Sequence, residues 1–226
     1  MTNATRPPFE QRPLRIAAGS RTLEADLSLP ADPAGVVLFA HGSGSSRFSP
    51  RNRHVARLLN EAGLATVLAD LLTPDEEAVD ERTRQLRFDI ELLGERLVGA
   101  TDWLRAYPVL ASLGLGYFGA STGAGAALVA AAHRPDVVRA VVSRGGRPDL
   151  AGKALERVRA PTLLIVGGDD VPVIGMNEHA LALLGVEKEL VVVPGATHLF
   201  EEPGKLDVVA ALARDWFMRH LPLPAA

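Results

Sequence analysis

Apolar and polar residues alternate strictly over residues 22–29 of the sequence. This period of two predicts a β-strand with one buried face and one solvated face. From residue 36 onwards the pattern changes to short unbroken apolar runs, which are typical of strands buried on both faces of a parallel sheet. The runs lie at residues 36–40, 65–69, 115–118, 140–143, 162–166 and 190–193.

Segments with helical periodicity alternate with these apolar runs. Ser49 and Pro50 predict a helix start, since serine is a favoured N-cap residue and proline is favoured at the first helical position. We also predict a long helix over residues 81–107 and a terminal helix through residues 206–217. Strand-helix alternation predicts βαβ units, and therefore a mostly parallel, doubly wound α/β sheet of about eight strands with helices on both faces.

The connections between the predicted elements are mostly short. We therefore expect one domain that covers residues 1–226, with residues 1–11 loosely ordered. Between the runs at 140–143 and 162–166 there is room for one short helix only. Many esterases and lipases carry a lid at this point, so the sequence predicts no lid domain.

The sequence G-A-S-T-G at residues 119–123 lies between an apolar run and an alanine-rich stretch. A strand that turns into a helix within a few residues needs glycine where a Cβ would clash, and the turn lifts one serine hydroxyl above the sheet edge. We therefore predict that Ser121 is a nucleophile. The alternative is a purely structural serine, which the flanking glycines and the downstream partners disfavour.

A serine nucleophile needs a base, and the base needs an orienting acid. In open α/β sheets such groups lie on loops at the carboxyl ends of strands. His198 follows the apolar run at 190–193, and both Asp169 and Asp170 follow the run at 162–166. The chain order serine, aspartate, histidine is that of the α/β-hydrolases. The sequence thus predicts a catalytic triad of Ser121, His198 and one of the two aspartates.

A loop that begins at His41 directly follows the buried run at 36–40. In this position a His-Gly loop contributes backbone N–H donors to the oxyanion of an acyl-transfer reaction. We predict that Thr122 supplies one donor and Ser43 the second, with Gly44 as the alternative to Ser43. His41 itself is expected to organise the loop by hydrogen bonds to the backbone.

Composition excludes several classes of function. Of the 226 residues, 47% are hydrophobic and 23% are charged, and the net charge of −3 argues against nucleic acid as the main partner. The chain contains no cysteine, which rules out disulfides, a cysteine nucleophile and thiolate metal sites. Residues 1–13 lack the apolar segment of a secretory signal, and no apolar run approaches the length of a membrane span. We expect a cytoplasmic protein with no membrane partner, no metal and no organic cofactor.

Five stretches together resemble a known family. They are residues 41–47, 119–123, 143–149, 166–170 and 194–200. On these motifs the chain resembles α/β-hydrolase fold proteins of the dienelactone hydrolase-like group, in particular small hydrolases sometimes fused to phosphoribosyltransferase domains. Loops of the form G-x-x-D in such proteins favour Asp170 over Asp169 as the triad acid. True dienelactone hydrolases use a cysteine nucleophile, so the serine found here implies ordinary carboxylic esters rather than the lactone.

Four residues are candidates for substrate binding: His41, Arg144, Arg147 and Phe200. Arg144 and Arg147 follow a strand at the predicted active-site edge, and arginine suits the binding of carboxylate or phosphate. The alternative is that these arginines pair with acids such as Asp149. Phe200 either forms part of an apolar pocket wall or packs in the core.

The predicted function is a serine hydrolase that cleaves small or short-chain carboxylic esters through an acyl-enzyme. Other acyl transfers on the same triad, namely amide or thioester hydrolysis and perhydrolysis, are alternatives. A ligand-binding protein with vestigial hydrolase activity is a further alternative, because fold does not fix function. The expected partner is a small-molecule ester, and the sequence does not predict an oligomeric state.

Overall fold

The computed structural model describes residues 9–222. The described chain begins with a β-hairpin of β1 (Phe9–Ala18) and β2 (Arg21–Pro30), joined by a tight turn in which Gly19 has a φ of 62°. Residues 9–11 belong to β1, so the prediction of loose order is wrong for them, because β1 pairs with β2 along its whole length. The same prediction for residues 1–8 lies outside the described residues.

The remaining elements alternate as the apolar runs predict. The other strands are β3 (Val36–Ala40), β4 (Ala65–Ala69), β5 (Leu115–Ala120), β6 (Val138–Arg144), β7 (Thr162–Gly167) and β8 (Lys188–Val193). The helices are α1 (Pro50–Glu61), α2 (Pro74–Thr83), α3 (Ile90–Ala106), α4 (Thr122–His133), α5 (Val171–Leu183) and α6 (Lys205–His220). Two 3-10 helices, Leu86–Phe88 and Pro148–Arg157, complete the described part.

All eight strands form one sheet in the order β1-β2-β4-β3-β5-β6-β7-β8. The β1–β2 and β2–β4 pairs are antiparallel, and every other pair is parallel. The prediction of a mostly parallel α/β-hydrolase sheet is therefore confirmed. Because β3 to β8 run in one direction, their carboxyl ends meet at a single edge, and the loops that leave this edge carry the candidate site residues.

A separate apolar core lies on each face of the sheet. On one face the side chains of α3 and α4 are packed, and on the other those of α1 and α6. The largest fully buried residues include Tyr117, Phe39, Phe118, Phe200 and Phe217. Burial on both faces explains why the sequences of these strands are continuously apolar.

The predicted long helix over residues 81–107 is two helices. A capping box between Thr73 and Glu76 starts α2 earlier than predicted, and Arg84 ends it in a left-handed conformation with a φ of 55°. Asp89 then caps α3, because its side chain accepts a hydrogen bond from the Leu92 N–H at 3.0 Å. The break between the two helices is determined by polar capping residues and does not interrupt the helical spacing of the apolar residues. The apolar pattern alone therefore predicted one continuous helix.

The connection from β6 to β7 contains only the 3-10 helix Pro148–Arg157, which packs on α4. The prediction of no lid domain after β6 is therefore confirmed for the described chain. Over residues 9–222, no helix has both the length and the apolar character needed to cross a membrane.

Candidate active site

Ser121 lies on a sharp turn between β5 and α4, with φ 51° and ψ −122°. For a residue with a side chain, this conformation costs about 1–3 kcal/mol and persists only where the surroundings enforce it. Two glycines allow the close approach. A Cβ at Gly119 would lie 2.4 Å from the Ala124 Cα, and one at Gly123 would lie 2.3 Å from the Ala40 carbonyl oxygen. The elbow predicted from G-A-S-T-G is thus present in the structure.

Backbone hydrogen bonds hold the Ser121 turn in place. The Ser121 N–H donates to the Arg144 carbonyl at 3.3 Å, and the Ser121 carbonyl accepts from the Ala124 and Arg147 N–H groups at 3.0 Å each. These bonds tie the turn both to its own helix and to the end of β6. The Ser121 residue is half-buried, so its side chain remains accessible from the sheet edge.

His198 and Asp170 are in direct contact. His198 Nδ1 lies 2.6 Å from Asp170 Oδ2, and the two side chains are 35% and 13% exposed. A carboxylate accepts only, so Nδ1 carries the proton of this bond and the unprotonated Nε2 of a neutral imidazole is available as a base. Asp169 is exposed and contributes its N–H to the Ala196 carbonyl at 3.0 Å. Of the two adjacent aspartates, Asp170 is the one that contacts the histidine.

The end of β6 connects the Ser121 turn with the His198 loop. Arg144 is hydrogen-bonded to Ser121, and the next residue, Gly145, lies against His198. A Cβ at Gly145 would lie 2.8 Å from the His198 carbonyl oxygen and 3.6 Å from its Nδ1. The predicted serine, histidine and aspartate are therefore brought to the same stretch of the sheet edge.

The His198 loop has an additional support that the sequence did not indicate. Glu202 accepts hydrogen bonds from the Thr197 N–H at 3.1 Å and from the Thr197 hydroxyl at 2.6 Å. The bond from the Thr197 hydroxyl is the main cause that lowers the pKa of the Glu202 carboxyl. These bonds fix the residue directly before His198.

The loop after β3 is held by its histidine and by Thr122. The Leu71 N–H donates to His41 Nε2 at 3.1 Å, so the proton is on Nδ1, which donates to the Gly42 carbonyl at 3.0 Å. With both ring nitrogens bound to backbone, His41 has the predicted role of organising the loop, and it has no free ring nitrogen for substrate binding. The Ser43 N–H, predicted as an oxyanion donor, donates to Thr122 Oγ1 at 2.9 Å.

The His41 imidazole predicts a specific pH dependence of stability. Burial lowers its pKa below the ordinary value of 6.5, against smaller opposing effects of Asp70 and Glu77. The folded state then binds fewer protons than the unfolded chain. The free energy of unfolding that neutral His41 supports is therefore fully present above about pH 6.5 and is lost as the pH falls below that value. We expect urea unfolding to give a free energy that falls more steeply from pH 7 to pH 5 in the wild type than in His41→Gln. Parallel pH profiles for the two proteins would contradict this assignment.

Two other candidates for substrate binding have structural roles instead. Arg147 forms a bidentate ion pair with Asp149, with distances of 2.9 and 2.8 Å, so its guanidinium is already satisfied. Phe200 is 1% exposed and packs in the core shared by α1 and α6. For both residues the structure therefore shows the structural alternative that the sequence offered, pairing with Asp149 for Arg147 and core packing for Phe200, in place of substrate binding.

Arg144 differs from Arg147 because it has no carboxylate partner within the described residues. It is 5% exposed, and its Nη2 donates to Asn52 Oδ1 at 3.1 Å. Asn52, on the first turn of α1, was not singled out from the sequence. A helical asparagine gives no sequence signal that it will meet a strand 92 residues away.

Two cavities differ in their relation to these residues. One of about 330 Å³ is lined by the His41 loop, Asp70 and the start of α2. Its wall includes Leu72 and Pro74, from the loop after β4. A larger cavity of about 430 Å³ lies between β1, β2 and α1, and contains none of the candidate site residues. The smaller cavity adjoins the loop after β3, but Ser121, His198 and Asp170 do not line it; a smaller recess beside the same loop is lined by Ser43, Gly44 and Thr122.

Metal ligands are a separate question. Within residues 9–222, no three His, Asp or Glu side chains are grouped so that they could hold a metal ion.

The fold and the strained serine turn define the protein as an α/β hydrolase. Residues 23–221 match the model of the dienelactone hydrolase family. The chain belongs to the dienelactone hydrolase family, which confirms the resemblance seen in the sequence.

Solved structures and curated relatives agree with this assignment. A dienelactone hydrolase from Anabaena variabilis is 62% identical, with a TM-score of 0.93 over 95% of this chain and 99% of that one. A lidless α/β serine hydrolase from Xanthomonas campestris is 23% identical, with a TM-score of 0.75 over 96% and 97% of the two chains, and supports the fold alone. Mycobacterium tuberculosis proteins that carry the name phosphoribosyl transferase are 58% identical over 218 residues. This match covers 96% of the chain and 48% of those relatives, so the chain spans about half their length.

Proposed function

We propose that this hydrolase cleaves carboxylic esters through an acyl-enzyme formed on Ser121. The observation that carries the proposal is the 2.6 Å contact between His198 Nδ1 and Asp170 Oδ2 at the same sheet edge as the strained Ser121 turn. A strained nucleophile turn, a base and an orienting acid are the parts that serine acyl transfer requires.

The first half of the reaction forms the acyl-enzyme. His198 Nε2 takes the proton of the Ser121 hydroxyl while Ser121 Oγ attacks the ester carbonyl carbon. The imidazolium that results is stabilised by the Asp170 carboxylate, which remains ionised. His198 then gives its proton to the departing alcohol oxygen as the tetrahedral intermediate collapses. The products of this half are the free alcohol and an ester between Ser121 and the acyl group.

Water completes the cycle through the same residues. His198 removes a proton from water, the hydroxide attacks the acyl carbon, and the proton returns to Ser121 Oγ as the carboxylic acid leaves. During both halves a negative charge develops on the carbonyl oxygen. We assign the Thr122 N–H as one donor to this oxygen, because it is the N–H that follows the nucleophile.

The second oxyanion donor depends on the Thr122 side chain. The Ser43 N–H is bound to Thr122 Oγ1, so it reaches an oxyanion only when that hydroxyl turns away. Threonine in a helix populates two χ1 rotamers, which makes such a turn inexpensive. Gly44 is the remaining alternative, because its N–H donates to no atom of the described chain.

Carboxylic esters are favoured by the strained serine turn and by the His198–Asp170 contact, which are the parts of serine acyl transfer. An esterase from Butyrivibrio proteoclasticus and a cold-adapted esterase from an Arctic metagenome share the fold, at 16% and 18% identity, and support the fold alone. The phosphoribosyl transferase name belongs to relatives of which this chain matches about half. We therefore take ester hydrolysis as the function of this domain.

A panel of p-nitrophenyl esters of increasing acyl length tests the proposal. Because the β6–β7 connection carries no lid, we expect an open, shallow acyl site, with fast hydrolysis of the acetate and butyrate esters and a fall of about tenfold or more in kcat/KM towards the laurate ester. A pre-steady-state burst of p-nitrophenol is expected if deacylation is the slower half. No hydrolysis of any ester in the panel would refute the proposed function, and a preference for laurate would refute the shallow acyl site.

A further inference from the structure

The Arg144 guanidinium is a buried charge without a counter-ion among residues 9–222. Its one hydrogen bond to the described chain joins Nη2 to the neutral Asn52 Oδ1, and its Nε is buried with no partner. Arginine carries five N–H donors, so most of them have no acceptor. Burying an ion costs several kcal/mol unless an opposite charge accompanies it. The Arg144 guanidinium therefore has both the positive charge and the unbonded N–H donors that anion binding requires.

A second guanidinium lies beside the first. Arg51 precedes Asn52 on the first turn of α1, where its Nη1 contacts Glu201 Oε1 at 2.8 Å and its Nε is buried without a partner. Burial, and to a lesser extent the positive charge of Arg51, lowers the pKa of Arg144 to about 10. Arg144 therefore remains charged at neutral pH, and the one carboxylate in contact with either guanidinium among residues 9–222, that of Glu201, contacts Arg51.

The start of α1 adds to this positive environment. Its first turn contains no acidic residue, so the positive end of the helix dipole is not neutralised there, although Ser49 already accepts the N–H groups of Asn52 and Arg53. Arg144 approaches this turn from the sheet through its bond to Asn52. Guanidinium groups and a helix N-terminus therefore converge on one small region.

This region adjoins the candidate active site. The Arg144 carbonyl accepts the Ser121 N–H, and the following Gly145 lies against His198. Side chains alternate along β6, so Ser143 faces α4 while Arg144 faces α1. The guanidinium is thus placed on the α1 side of the nucleophile, whereas the 330 Å³ cavity lies towards α2.

We propose that Arg144, held by Asn52 and flanked by Arg51, binds an anionic acid group of the substrate, a carboxylate or a phosphate, and so determines specificity. The proposal rests on the proposed ester hydrolysis and adds the substrate class to it. A guanidinium binds either group through two parallel N–H bonds, which a lysine ammonium does not provide. Arg147 does not compete for this role, because Asp149 already occupies its guanidinium.

A matched pair of esters tests the specificity. Monoethyl succinate carries a carboxylate where ethyl succinamate carries a neutral amide. We expect wild-type kcat/KM to favour the anionic ester by about tenfold or more, and Arg144→Met to reduce this preference to about twofold or less, chiefly through KM. Arg147→Met is the matched control from the same loop, and should keep the preference. Equal losses on the two esters in Arg144→Met would overturn the proposal.

A second variant guards against misfolding of Arg144→Met. Asn52→Ala leaves the guanidinium in place but removes its one hydrogen bond to the described chain, so it should weaken the preference for the anionic ester by several-fold. Circular dichroism and the melting temperature report whether each variant is folded. A folded Asn52→Ala protein with an unchanged preference for the anionic ester would show that Asn52 does not position the guanidinium. It would contradict the proposal that Asn52 holds Arg144 in the anion-binding position.

Direct binding separates this proposal from the proposed function. On Ser121→Ala protein, succinate and inorganic phosphate are each titrated against sodium chloride of equal ionic strength, and the melting temperature is followed. We expect at least one anion to raise it, and the rise to vanish in the Ser121→Ala/Arg144→Met double variant. A rise with phosphate alone assigns phosphate as the anionic group. No Arg144-dependent rise with either anion overturns the site, while such a rise without ester hydrolysis refutes only the proposed function.

Discussion

Ser121→Ala is expected to lower kcat for p-nitrophenyl butyrate by about four orders of magnitude or more. The substitution removes only the hydroxyl group, and without it no acyl-enzyme forms. The residual rate then comes from substrate binding and the oxyanion donors alone. Alanine keeps the Cβ of serine, so the strained turn at φ 51° is under the same constraints in the variant. Stopped-flow and steady-state assays on the purified proteins measure the change.

The control for this loss is a serine of the same sheet away from its carboxyl edge. Ser28 lies on the antiparallel strand β2, and Ser28→Ala should retain the wild-type kcat. The melting temperature of Ser121→Ala should stay within about 2 °C of the wild type, because no buried hydrogen bond of the hydroxyl is lost. Hydrolysis that survives in a folded Ser121→Ala protein would mean that another group performs the attack.

The adjacent aspartates should respond very differently to the same substitution. Asp170→Asn replaces the carboxylate that contacts His198 Nδ1 with an amide, which no longer stabilises the imidazolium and favours the wrong tautomer. We expect a fall of about 10³- to 10⁴-fold in kcat. Asp169→Asn, one residue away and exposed, should change kcat by less than about threefold.

Loss of a helix cap does not explain the expected effect of Asp170→Asn. Asp170 is the N-cap residue of α5, but its side chain makes no capping hydrogen bond. The two variants should therefore have similar melting temperatures while their kcat values differ widely. Similar kcat values for Asp169→Asn and Asp170→Asn would contradict the assignment of Asp170 as the orienting acid.

The parts of the site that the sequence predicted depend on local rules. Continuous apolar runs marked the strands, and the glycines around Ser121 marked a turn that only small neighbours permit. The carboxyl ends of parallel strands meet at one edge, so the sequence alone predicts that Ser121, Asp170 and His198 lie close together. Their chain order completed the argument.

The parts that the sequence missed depend on long-range partners. Arg144 and Arg147 are three residues apart and chemically identical, yet one is paired with Asp149 and the other meets Asn52 across the sheet. Side-chain alternation assigns Arg144 to one face of β6, but only the tertiary structure shows that α1 covers that face. Phe200 is similar, since its loop position leaves both a pocket wall and the core open, and only the packing shows that it lies in the core.

The break between α2 and α3 was missed for a different reason. The caps at Thr73 and Asp89 are polar signals, and the apolar pattern that predicted one helix over residues 81–107 carries no information about them. The consequence is functional, because Pro74 at the start of α2 lines the cavity beside the His41 loop. A search for capping boxes alongside periodicity would have found the start of α2.

The measurement that tests the central claim most directly is the trapping of the acyl-enzyme. The protein is mixed with p-nitrophenyl butyrate, quenched in acid during the burst, digested and analysed by mass spectrometry. Our account predicts one butyryl group on the peptide that contains Ser121, and none on the same peptide of Ser121→Ala. Turnover in which the butyryl group is found on another residue and not on Ser121 would contradict it.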